Sequence, residues 1–188
     1  MEKKYKIVIN APVVIGFVGL SFCATLIGFL TRGAATRLLF ETYRSSPLNP
    51  LTYLRLFTHV IGHTGWSHFM GNATYLLLLG PMLEEKYGSS ALVKVILITA
   101  LVTGLVNDIF FPSVALCGAS GVVFAFILLT SFTGFREGEI PLTFLLIAVI
   151  FLGQQVLEGA FVRDSISQLS HILGGAVGAV IGYHWNRH

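Results

Sequence analysis

The sequence predicts an all-α, polytopic membrane protein with six transmembrane helices, and three observations lead there. Of 188 residues, 54% are hydrophobic and only 11% are charged, where a soluble domain carries about 25% charged residues. The mean hydropathy is +0.79. Apolar runs recur at close to the ~20 residues needed to cross a bilayer, and six of them use most of the chain. The net charge of +3 suits an anionic membrane surface and calls for no nucleic acid. Cys23 and Cys117 make neither a disulfide framework nor a zinc pattern, so both are expected to be free thiols.

Lys3, Lys4 and Lys6 precede an apolar run from Ala11 to Leu30. The run is longer than the about 7–15 residues of a signal-peptide core and more spans follow, so it reads as the first span with its N-terminus inside. Thr31 to Ser67 mixes Arg32, Arg37 and Arg44 with Pro47, Pro50 and the half-apolar Leu51–Gly62. That pattern predicts an interfacial segment with short helices. Span two is expected over His68–Leu83, stopping at Glu84-Glu85-Lys86, and span three over Ala91–Val106, with Lys94 snorkelling at its inner end. Asn107–Cys117 is a predicted loop carrying Asp108 and Pro112. Span four follows over Gly118–Gly134, span five over Pro141–Leu157, a connector over Glu158–Ser165 and span six over Ile166–Tyr183. The organisation is then a cytoplasmic tail at 1–10, a six-helix core at 11–183 and a cytoplasmic tail at 184–188. Lys3, Lys4, Lys6, Lys86, Lys94, Arg136 and Arg187 fall inside and Arg32, Arg37, Arg44, Arg55 and Arg163 outside, a modest positive-inside bias.

In this topology spans two, four and six all start at the outer face. His68 and Asn72, four apart on one helix face, open span two. Ser120, in Gly118-Ala119-Ser120-Gly121, opens span four, and His171 lies in the second turn of span six. At 1.5 Å per residue these four groups share one depth, within roughly 10 Å of the boundary. Gly174, Gly178 and Gly182 continue the His171 face as a small-residue ridge, which lets helix backbones pack closely in a membrane. His171 is therefore expected against a neighbour, and if that neighbour is span four it reaches Ser120. Serine needs a base to become a nucleophile, and His171 is the histidine placed for it. His68, Asn72 and the Ser120 backbone N–H can donate to an oxyanion. Asp108, Glu158 and Asp164 are expected in loops, so a Ser–His dyad without a third acid is predicted.

The chain resembles the rhomboid intramembrane serine proteases. The residues that carry the resemblance run from Leu54-Arg55 to Gly178: His59-x3-His63-x4-His68-x3-Asn72, Glu84-x3-Gly88, Gly118-x-Ser120-Gly121 and His171-x2-Gly174-x3-Gly178. The resemblance implies Ser120 as nucleophile, His171 as general base and acid, and His68 and Asn72 as oxyanion donors. Gly118, Gly121, Phe124 and Gly174 would support the site. It implies a compact six-helix core with span four short and central, and a water-filled cavity open outward. The substrate would be a transmembrane segment of another protein in the bilayer, cut near the outer face, with no cofactor or metal. The expected location is a bacterial inner membrane, with both termini cytoplasmic. Leu54 stands where the family often has Trp, and Phe124 where it often has Tyr. His59 and His63 are expected to make structural hydrogen bonds, Arg55 and Glu84 to anchor the first loop and the end of span two, and 158–165 to act either as a cap or as a plain connector. One competing reading is a non-catalytic relative that binds membrane proteins, although such relatives typically lack the serine or histidine kept here. A transporter would need ionisable groups at the midplane, where only the Tyr75 phenol is found.

Overall fold

The computed structural model describes residues 6–134, 139–161 and 165–186. Among them the regular structure is helical, with no strand beyond a single bridge. The α-helices are α1 (Pro12–Leu30), α2 (Pro50–Thr58), α3 (Trp66–Tyr87), α4 (Ser89–Phe110), α5 (Ser120–Ser131), α6 (Leu142–Phe161) and α7 (Ser165–Trp185). On length and composition α1 and α4 can each cross a membrane. Leu78, Val149 and Ile150 are each about two-thirds exposed, an outward-facing apolar surface that lipid, not water, would cover.

Pro12 at the first position of α1 lacks the N–H that would go unpaired there. The next two N–H groups, of Val13 and Val14, donate to the two oxygens of Glu84, each at 3.0 Å. A carboxylate at a helix N-terminus satisfies orphan donors and complements the helix dipole. Glu84 thus ties the start of α1 to the end of α3, and the Ser89 hydroxyl donates to it at 2.6 Å. This is why α3 runs on through Glu84-Glu85-Lys86 to Tyr87 rather than stopping at Leu83: its first charge is used as a cap.

The segment between α1 and α3 folds into a π-helical turn (Thr36–Phe40), α2 and a 3-10 turn (His59–Ile61), matching the expected short helices. The buried Arg55 guanidinium organises it, donating to Tyr43 Oη at 2.9 Å and Ser45 Oγ at 2.7 Å while lying 4.1 Å from the Tyr43 ring centre. Thr42 and Leu116 exchange backbone hydrogen bonds, both 2.9 Å, and Gly118 N–H donates to His59 O at 2.9 Å. These bonds fasten the segment to the stretch that leads into α5.

Two predicted loops shrink. Asp108 lies within α4, which continues to Phe110, and its carboxylate accepts from Thr42 Oγ at 2.9 and 3.0 Å. Glu158–Phe161 continue α6, because Gly159 costs a helix only about 1 kcal/mol and its neighbours do not break one. Of the predicted 158–165 connector, residues 162–164 lie outside the described residues. In the other direction, α5 is shorter than the expected Gly118–Gly134. Its Gly121, Val122, Val123, Ala125, Phe126, Leu128 and Leu129 are buried, so α5 is covered on nearly every side and forms the centre of the fold.

Candidate active site

The contact of α5 with α7 sets the site. A Cβ on Gly174 would run into the backbone carbonyl of Gly121, and one on Gly178 into that of Ala125. The paired positions rise in step along both helices, so α5 and α7 run parallel with backbones touching, as the glycine ridge requires. α3 runs the same way beside α5: His68 at its start abuts Gly118, and Lys86 near its end donates to Thr133 O. Three helix N-termini therefore point to one end of the molecule.

At that end lies a cavity of about 840 Å³ lined by Ser120, His171, His68 and Asn72, with Phe124 and Tyr75 further along the helices. Ser120 is the first residue of α5, where the helix's own ladder leaves backbone N–H groups unused. The His171 and Phe124 rings stack with centroids 4.4 Å apart and planes inclined by 38°. On the opposite wall, Thr64 Oγ1 and His68 Nδ1 are 3.3 Å apart. The other edge of that imidazole faces Gly118, where an added Cβ would come within 2.7 Å of Cε1 and 2.8 Å of Nε2. Gly118 also has φ +130°, a conformation that side chains resist, so the turn before Ser120 excludes any other residue on two counts. Asn72 is buried, and its Nδ2 has no hydrogen-bond partner among the described residues. A buried donor left free is costly in a purely structural role, whereas it is ready for a ligand oxygen.

A family model for the Rhomboid domain matches residues 50–187. The chain belongs to the rhomboid family. It is accordingly a membrane protein, and an intramembrane protease or a homologue of one, in a family whose members are generally serine proteases but include inactive ones. The matched region begins at α2, so α1 precedes it.

The other two histidines of this rhomboid's first motif are structural in their surroundings. His59 is buried between Arg55 O, 3.1 Å from Nδ1, and Thr103 Oγ1, 3.2 Å from Nε2. His63 is buried between Thr25 Oγ1 and the N–H of Ala119, each at 3.5 Å. Burial lowers both pKa values to about 4, with the neighbouring His68 adding to the effect at His63. Both rings are therefore neutral in the fold but protonate from about pH 6.5 in the unfolded chain. The unfolded state binds more protons between those values, so stability falls as pH drops from about 6.5 to about 4, by up to ~3 kcal/mol for each ring. Thermal unfolding of wild type should show that decline, and His59→Gln should flatten part of it.

Some cavity residues carried no functional signal in the sequence. Glu41 reaches the wall only because the Thr42–Leu116 bridge folds the first loop over α5. Tyr75 lines the cavity although its sequence position suggests only a midplane phenol. Cys117 lines it too, and burial, reinforced by Glu41, pushes its thiol up to about 12. The thiol stays protonated at neutral pH and does not compete as a nucleophile.

Proposed function

We propose that this rhomboid is a catalytically active serine endopeptidase that cuts transmembrane segments of other proteins near the extracytoplasmic face. The observation that carries the reading is one cavity lined by a serine hydroxyl at a helix start, an imidazole stacked on Phe124, a second imidazole and an unpaired buried amide. His171 takes the proton of Ser120 Oγ as the oxygen attacks the substrate carbonyl carbon. The resulting oxyanion accepts from the Ser120 N–H, Asn72 Nδ2 and His68. As the C–N bond breaks, His171 passes the proton to the departing amine. Water then enters the cavity and attacks the acyl carbon, with His171 taking its proton. His171 passes that proton to Ser120 Oγ as the acyl C–Oγ bond breaks, which frees the second product as an acid and restores the serine.

In this proposal α1, α3, α4, α5, α6 and α7 form the six spans of a core over 11–183. Tails 1–10 and 184–188 lie in the cytoplasm of a cell whose inner membrane holds the protein. α2 lies along the outer boundary, and Gly118, Gly121, Phe124 and Gly174 position the reacting groups. No cofactor takes part in these steps.

The test is cleavage of a model transmembrane substrate in proteoliposomes. Wild type is expected to give two fragments, and Asn72→Ala to lower kcat by about 10²–10³-fold with little change in KM, the cost of one oxyanion donor. No cleavage by wild type of any model substrate, in a correctly folded preparation, would overturn the proposal.

A further inference from the structure

A second cavity, of about 460 Å³, opens where the C-terminal end of α1 meets the π-helical turn and the start of α3. Its walls bring together the guanidinium-bearing Arg32 and Arg37, a single carboxylate residue, Glu41, and the aromatic Phe29 and Trp66. Glu41 also lines the catalytic cavity, and among the described residues the walls set two guanidinium groups against one carboxylate.

The way α1 ends makes Arg32 unusual. Gly33 N–H donates to Gly28 O at 2.8 Å and Arg32 N–H to Phe29 O at 3.1 Å, the paired bonds of a Schellman ending. Arg32 occupies the left-handed position of that ending, with φ +51°, and is the one non-glycine residue with positive φ among the described residues. Glycine is the ordinary occupant there. A cation suits the negative end of the α1 dipole, but it does so without needing the left-handed position, and an outlier of this kind points to a use for its side chain.

The same cavity has an apolar side in Phe29 and Trp66. Phe22, Phe29 and Trp66 form a ring cluster with Trp66 centroid distances of 5.6 and 6.3 Å, and Phe29 and Leu30 are about two-thirds exposed. Tryptophan at the end of a span sits at headgroup level. Two guanidinium groups and an aromatic wall in one cavity complement a phosphodiester joined to acyl chains. We propose that this cavity binds the phosphate of an anionic phospholipid through Arg32 and Arg37, with an acyl chain against Phe29 and Trp66. The cavity shares Glu41 and Thr64 with the catalytic one, but lipid binding there does not depend on the proposed peptidase chemistry.

The test is native mass spectrometry of the full chain in detergent, titrated separately with phosphatidylglycerol, diacylglycerol and inorganic phosphate. Wild type is expected to retain one phosphatidylglycerol. Arg32→Gly and Arg37→Gln should each weaken it by about tenfold, the worth of one charged hydrogen-bonded contact. Diacylglycerol should not distinguish wild type from the variants, and inorganic phosphate should bind more weakly than the lipid. Arg32→Gly relieves the left-handed strain, so its thermal midpoint should equal or exceed that of wild type, which separates lost binding from lost folding. Equal retention of phosphatidylglycerol by wild type and both variants would overturn the proposal. Inorganic phosphate binding as tightly as the lipid would overturn the lipid assignment.

Discussion

Ser120→Ala should eliminate cleavage of a transmembrane substrate, by at least about 10⁴-fold, while the protein remains folded. Removing the nucleophile of a serine hydrolase leaves only what the oxyanion donors and binding can do for direct attack by water. The substitution deletes one oxygen at the cavity wall, where Ser120 is only half-buried, so the core of α5 is not disturbed. His171→Ala should lose a comparable amount, because nucleophile and base act as a unit, and the double variant should be little worse than either single one. Retained cleavage by His171→Ala would mean that another base serves Ser120. The other imidazole of the cavity, His68, is committed to the oxyanion in this proposal, with its Nδ1 3.3 Å from Thr64 Oγ1.

The second large effect should come from one methyl group placed where α5 and α7 touch, beside the reacting groups. Gly174→Ala places a Cβ into the carbonyl of Gly121, and a backbone obstacle cannot rotate aside as a side chain would. Overpacking of this kind costs about 2–3 kcal/mol, which for a chain of this size lowers the thermal midpoint by roughly 4–12 °C. The same substitution at Gly19, where nothing lies within 4 Å of the added atom, should leave stability equal or raise it by up to ~1 kcal/mol. Activity should fall further than stability. The α5–α7 contact at Gly121 and Gly174 holds the Ser120 and His171 backbones in register, and a misplacement of about 1 Å between reacting groups costs ~10²-fold in rate. Comparing turnover at a temperature where both variants are folded separates the two effects.

Much of this site could be read from the sequence because its determinants are local. His68 and Asn72 share a face by their spacing alone, and the glycines after His171 say which side of α7 is pressed against a neighbour. The second expectation matches the packing, in which Gly174 and Gly178 meet α5, while His68 and Asn72 line one cavity. What the sequence hid is non-local. Glu84 reads as a span terminator, yet its carboxylate caps α1 some seventy residues away. Asp108 reads as a loop residue, yet α4 carries it as the acceptor for Thr42. Glu41 enters the cavity wall through a bridge between segments far apart in the chain. Arg32 looks like an ordinary flanking cation until the hydrogen bonds at the end of α1 place it where glycine belongs.

The account rests on Ser120 being activated by His171 in one cavity. The most direct measurement is labelling of the purified protein with a fluorophosphonate, followed by peptide mass mapping. Stoichiometric modification of Ser120 in wild type, absent in His171→Ala although that variant remains folded, is the predicted result. An unmodified Ser120 in folded wild type, or equal labelling with and without the imidazole, would contradict it.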